Sequence, residues 1–142
     1  MADTASLQDM EPAPPGWVLQ SHMQTFSVHA GPFYRREDGP TPGIGFYAKP
    51  HHANHGGVVH GGVLMTLADM SLFDICFRSL GQLKAVTVTM NAEFLGPGPI
   101  GEFIEAGGEM TMAGNSLLFA RGLVTANGKS LLSFSGTLKR IS

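Results

Sequence analysis

From Val63 to Leu80, twelve of eighteen residues are apolar, and they fall nearly all round a helical wheel instead of along one stripe. A helix lying on a surface has no use for that pattern. A helix enclosed by the rest of its chain does. Asp69, Asp74 and Arg78 interrupt the run, and each would be expensive at the centre of a bilayer, so the segment reads as a buried helix and not as a membrane span. Pro50 to Gly57 resists regular structure, and His60-Gly61-Gly62 leads into good helix formers, which sets the helix start near Gly61.

What could enclose such a helix follows downstream. Ala85 to Leu95 alternates, with Val86, Val88, Met90, Ala92 and Phe94 on one face and Thr87, Thr89, Asn91 and Glu93 on the other. Strands are expected over 102–112 and 116–126, joined at Ala113-Gly114-Asn115. Asn127-Gly128 is a type I′ hairpin signal before a last strand over 130–140. Upstream, the pieces FSV, FY and IGFYA around the turn-prone EDGPTPG suggest a hairpin with a long connection. One central helix with an antiparallel sheet able to curl round it is an α+β arrangement. The expected organisation is residues 1–22 as an N-terminal segment, flexible or a short helix, and 23–142 as one domain.

Composition removes several classes of function. A net charge of −2 offers no basic field for nucleic acid. The single cysteine, Cys76, lies among Phe73, Ile75 and Phe77. It reads as a core residue, so neither a disulfide framework nor a cysteine zinc site is available, and a reducing cytoplasmic setting is expected. The acidic, Pro-rich N-terminus does not read as a secretory signal. His51, His52, His55 and His60 crowd into ten residues without an accompanying Asp, Glu or Cys, so no metal is expected, and the first three read as solvated loop residues. Asp74 and Arg78, four apart, are expected to pair on the helix.

The chemistry concentrates at the loop-to-helix junction. Asn54, His60, Gly61, Gly62 and Asp69 bring together a carboxamide, an imidazole, two glycines and a carboxylate. Unpaired N–H groups at a helix start can polarise a carbonyl or hold an oxyanion, and glycine permits close approach. Asp69 lies eight residues beyond Gly61, about 12 Å along the axis at 1.5 Å per residue. The two cannot reach one carbonyl from the same chain. If both act on one substrate group, they come from different subunits, which puts the site at a symmetric dimer interface.

The order His52-x-Asn54, Gly57, His60-Gly61-Gly62 and Thr66-Leu67-Ala68-Asp69, followed by the strand VTVTMNAEFLGP, resembles the PaaI-like branch of the hotdog-fold thioesterases from about His51 to the C-terminus. The resemblance implies a long helix gripped by a curved sheet, a homodimer, and two dimers joined as a homotetramer. It implies an acyl-CoA substrate and no cofactor. Asp69 would act as general base or nucleophile, and the Gly61 N–H would polarise the thioester carbonyl. Asn54 and His60 would orient water or substrate, and Thr87 would hold the attacking water where the branch can carry serine. Gly62, Val59 and Met90 are the expected substrate contacts. Arg35, Arg36, Lys49, Lys84 and Arg121 are candidates for holding the coenzyme. The competing readings are a hotdog-fold hydratase, whose characteristic loop motifs are absent, and a non-catalytic binder of acyl-CoA or aromatic ligands.

Overall fold

The computed structural model describes residues 11–21 and 25–141. Seven strands form one antiparallel sheet in the order β1-β2-β3-β5-β6-β7-β4, and a single long helix lies in its concave side. The strands are β1 (Trp17–Leu19), β2 (Tyr34–Arg36), β3 (Ile44–Tyr47), β4 (Ala85–Phe94), β5 (Phe103–Ala113), β6 (Leu117–Ala126) and β7 (Lys129–Arg140). A short helix, α1 (Phe26–Ala30), precedes β2, and the long helix is α2 (Gly61–Leu80). This is the α+β hotdog arrangement expected from the sequence.

Helix α2 starts where the glycine pair permits and stops at Gly81, which takes φ 81° and returns its N–H to the Phe77 carbonyl at 2.8 Å. Val63, Leu64, Leu67, Ala68, Leu72, Ile75 and Cys76 are buried against the sheet side chains Ile44, Ile104, Leu118, Val124, Leu132 and Leu138. Gly136 on β7 lets the helix approach, since a Cβ there would run into Leu72. The helix is not covered all round, however. Met65, Met70 and Phe73 are only partly buried, and Phe77 is 47% exposed, so an apolar stripe of α2 opens outward from the single chain.

Several local expectations are corrected. The FSV piece is helical, inside α1, and only Tyr34–Arg36 and Ile44–Tyr47 form the upstream hairpin. Trp17–Leu19 joins the sheet as β1, paired with β2, and the first ten residues lie outside the described ones. In β5, Gly107 and Gly108 keep regular partners in β6, and the irregularity lies beyond them, between Met110 and Met112. These glycines serve close approach, since a Cβ on Gly108 would strike the Arg121 carbonyl. The Asn127-Gly128 turn, with φ 49° and 80°, joins β6 to β7 as expected.

The largest correction concerns β4. Its alternation breaks at a bulge between Thr87 and Thr89, where Val88 has no partner in β7. Thr87 pairs with Leu138, Met90 with Gly136 and Ala92 with Phe134, all buried residues of β7, so Thr87 joins Met90 and Ala92 on the face toward the helix. β4 is also an edge strand. Among the described residues nothing pairs with its outer side, and Val86, Val88, Phe94 and Leu95 are each about half exposed, at 46%, 51%, 57% and 54%.

Candidate active site

Asp69 sits on the outward stripe of α2, more than two turns from the helix start. The bulge in β4 turns Thr87 toward it, and the Thr87 hydroxyl donates to Asp69 Oδ1 at 2.7 Å. No other hydrogen bond to this carboxylate is found among the described residues, so Oδ2 is open. Two depressions flank it. One, of about 580 Å³, is lined by Gln20, Arg35, Ile44, Met70, Phe73, Phe77 and Leu83. The other, of about 570 Å³, lies toward α1 and is lined by Phe26, Met65, Thr66 and Met70. Asp69 and Met70 belong to both, so the carboxylate stands on the ridge between two largely apolar grooves of ligand-binding size.

The helix start is built from the preceding loop. His52 is buried at 4% exposure. It is not the solvated loop residue expected: Nδ1 accepts the Lys49 N–H at 2.9 Å, and Nε2 faces the Ala30 and Gly31 carbonyls at 2.8 and 3.1 Å. Two carbonyls require a donor, so the proton is on Nε2. Burial first, and the charge of neighbouring His51 second, hold its pKa below the ordinary 6.5, against the pull of the two carbonyls. A neutral His52 therefore staples the loop to the end of α1.

Asn54 and His60 shape the same loop. The Asn54 carboxamide oxygen accepts the N–H groups of Gly56 and Val58 at 2.8 and 3.2 Å, which leaves its amide nitrogen free to donate. His60 is the N-cap of α2. Its Nδ1 accepts the Gly62 N–H at 2.8 Å, and its own N–H goes to the His52 carbonyl at 2.8 Å. The cap decides which helix-start amide is available: Gly62 is committed, whereas the Gly61 N–H has no acceptor among the described residues. Phe94 of β4 lies against Gly61, with ring carbons 3.0 and 3.1 Å from where a Cβ would stand. Val59 is buried beside Gly98, and Met90 packs on the core near Gly136; neither lines the two depressions beside Asp69.

Asp74 and Arg78 pair as expected, at 3.0 Å, and also tie the helix to the β2–β3 connection. Asp74 accepts the Gly43 N–H at 2.8 Å, while Arg78 donates to the Arg36 and Gly39 carbonyls. Cys76 is buried, and that burial raises its pKa, as suits a core thiol. Among the described residues no three His, Cys, Asp or Glu side chains group closely enough to hold a metal ion, and no helix is long and apolar enough to cross a membrane. Of the groove residues, Phe73 and Phe77 carried no site signal in the sequence because an apolar residue on an enclosed helix looks like core, and Gln20 and Leu83 belong to no motif there.

Residues 56–133 match the thioesterase superfamily, the span that holds the Gly61 helix start, Asp69 and Thr87. The chain belongs to that superfamily, and it is a thioester hydrolase. A candidate esterase of Pseudomonas aeruginosa is 31% identical over 108 residues, covering 75% of this chain and 81% of the relative. In fold, the chain is similar to PaaI of the Escherichia coli phenylacetic acid degradation operon, with a TM-score of 0.74, 21% identity and coverage of 84% and 86%. It is likewise similar to a hypothetical thioesterase of Streptococcus pneumoniae solved with coenzyme A, with a TM-score of 0.71, 21% identity and coverage of 81% and 91%.

Proposed function

We propose that this thioesterase hydrolyses acyl-CoA thioesters at a site completed by a second copy of the chain, with Asp69 as general base. The observation that carries the reading is the Asp69–Thr87 pair, a carboxylate oriented by a hydroxyl at 2.7 Å between two apolar grooves.

In the proposed reaction a water donates one hydrogen bond to Thr87 Oγ and the other to Asp69 Oδ2. Its oxygen bonds to the thioester carbonyl carbon as its proton passes to Asp69. The carbonyl π electrons move onto oxygen, where the Gly61 N–H and the positive end of the helix hold the charge. Collapse re-forms the carbonyl and breaks the C–S bond, and the thiolate takes the proton from Asp69. A thiolate is a good leaving group, so these parts suffice. Free donors on Asn54 and His60 serve to orient the substrate.

Gly61 and Asp69 stand about 12 Å apart along one helix, so the N–H must come from a neighbour. The open edge of β4 supplies the way. Thr87 marks the Asp69 end of the strand and Phe94 the Gly61 end. Antiparallel pairing of β4 with its copy, the two-fold passing through Asn91 and the bulged Val88 left unpaired, sets Thr87 opposite Phe94 of the partner subunit. Each Asp69 then faces Gly61 of the partner subunit, and the exposed side chains of β4 are covered. Association of two such dimers as a homotetramer, and a cytoplasmic location, belong to the same reading.

The test is thiol release from a panel of aryl-, short- and long-chain acyl-CoAs, with the wild type beside Asp69→Asn. A fall in kcat of about 10²- to 10⁴-fold is expected, the range for loss of a positioned base. Equal rates would remove Asp69 from the reaction.

A further inference from the structure

The inner face of β2 carries a cation where the pattern calls for core. Arg35 stands in the ladder between Val18 of β1 and Ile44 of β3, and Ile44 in turn pairs with Ala106 of β5. Ile44 and Ala106 are buried in the core that holds α2, so Arg35 lies on the helix side of the sheet, where it lines the groove that contains Asp69. Its neighbour Arg36 takes the opposite face, over the Trp17 ring and paired with Glu105. Gln20, just past β1, reaches the same wall as Arg35, and its N–H is fixed to the Phe33 carbonyl at 2.8 Å.

Neither side chain is used up. Among the described residues, the Arg35 guanidinium makes one hydrogen bond, from Nη2 to Glu37 Oε1 at 3.0 Å, and with side chains 33% and 52% exposed that ion pair contributes little. A guanidinium has five N–H donors, so most remain for a ligand. The Gln20 carboxamide has no hydrogen bond among the described residues. The other charged member of this wall, Asp74, is compensated, since it takes the Arg78 Nε–H at 3.0 Å and the Gly43 N–H at 2.8 Å. The remaining walls are apolar, chiefly Met70, Phe73 and Phe77.

The placement also sets a length. The Asp74 bond to Gly43 puts the start of β3, and Arg35 across from Ile44, beside the stretch of α2 five residues beyond Asp69. That is about 7.5 Å along the axis at 1.5 Å per residue. An extended chain advances about 1.2 Å per bond, so about six bonds cover it.

We infer that the acyl group this enzyme prefers ends in a carboxylate: an ω-carboxyacyl thioester, the monothioester of a dicarboxylic acid, about six bonds from thioester carbonyl to far end. Arg35 and Gln20 receive the carboxylate, and the methylenes between lie on Met70 and Phe73. The inference rests on the acyl-CoA reading above and names its substrate class. A planar guanidinium matches a carboxylate with two parallel hydrogen bonds, which a neutral chain end cannot return.

The test compares adipyl-CoA with methyl adipyl-CoA, which differ by one methyl group that removes the charge. In the wild type kcat/KM should favour adipyl-CoA by about tenfold or more, as for a hydrogen bond to a charged group. Arg35→Gln should bring that ratio to about one; any loss through coenzyme binding or folding is common to both substrates and cancels. Glu37→Gln, which removes the competing carboxylate, should raise the ratio about threefold. A wild-type ratio of one or below, or a ratio that Arg35→Gln leaves unchanged, would overturn the inference, the second outcome assigning the guanidinium to the coenzyme or the fold. A ratio that failed to rise in Glu37→Gln would overturn the part given to Arg35. Turnover of methyl adipyl-CoA leaves the hydrolase reading standing whatever the ratio, whereas hydrolysis of neither thioester defeats that reading. Calorimetric binding of the two thioesters then decides the inference alone: tighter binding of adipyl-CoA, lost in Arg35→Gln, supports it, and equal binding overturns it.

Discussion

The Thr87 hydroxyl can serve the reaction twice over, donating to Asp69 Oδ1 at 2.7 Å and accepting from the attacking water with its remaining lone pairs. Thr87→Val keeps the β-branched shape and removes both functions, and a hydrogen bond to a charged group is worth about 1.5–3 kcal/mol. We expect kcat to fall about tenfold to a hundredfold, with Thr87→Ser close to wild type. A Val variant with unchanged kcat in a steady-state thioester assay would show that the hydroxyl is only a strand contact. His52 makes a prediction about stability instead. Its pKa lies below 6.5 in the folded protein because burial opposes the charge, so below pH 6.5 the unfolded chain binds more protons than the folded one. Its contribution is complete above pH 6.5 and is lost as pH falls from there through the lower folded value. Urea midpoints at pH 7 and pH 5 should therefore drop for the wild type, and drop less for His52→Gln; parallel drops would mean that His52 does not carry the dependence. The burial of His52 was not legible in the sequence, where a histidine run between a proline and two glycines looks like open loop. Its partners, the Ala30 and Gly31 carbonyls, are more than twenty residues away.

Among the elements, β4 shows where period-two reading stops. Val86-Thr87-Val88-Thr89 is β-favouring in either phase, so nothing in the residue types marks the bulge that reverses the faces, and the reversal is what turns Thr87 toward Asp69. Helix α2 was legible at both ends, because the irregular loop before Gly61 and the end of the apolar run at Leu80 are local signals. Its missing cover was not, since an apolar residue reads the same whether its neighbour is its own sheet or a second copy. The proposed pairing of β4 can be tested in register. With the two-fold at Asn91 and Val88 bulged out, Val86 faces Leu95 of the partner subunit, and both are about half exposed in the single chain. Val86→Lys with Leu95→Lys sets like charges opposite each other at both ends of the paired strands, whereas Val86→Lys with Leu95→Glu sets opposite ones. By analytical ultracentrifugation the first variant should shift toward monomer and lose turnover in proportion, and the second should recover both. Equal behaviour of the two would exclude this register.

At the scale of the whole molecule, a sheet that wraps one side of α2 leaves the other side to serve the substrate. Asp69, Met70, Phe73 and Phe77 follow one another along that open stripe, with Phe77 two turns beyond Asp69, about 12 Å at 1.5 Å per residue. If the acyl group lies in this groove, its length is measured against helix residues and the fold sets specificity by which side chain stops the chain. Met70, shared by both depressions, is the near stop, and Phe77 is the far one. Met70→Trp should depress kcat/KM progressively with chain length while sparing acetyl- and propionyl-CoA. Phe77→Ala should move the optimum to longer chains, since each newly buried methylene contributes about 0.8 kcal/mol, a gain of roughly fourfold per carbon. Both changes lie on the outward face, where the core residues beneath keep their packing, so circular dichroism should report an unchanged fold. An identical chain-length profile for wild type and both variants would place the acyl group elsewhere, because no side chain that touches it could be altered this far in size without changing which substrates fit.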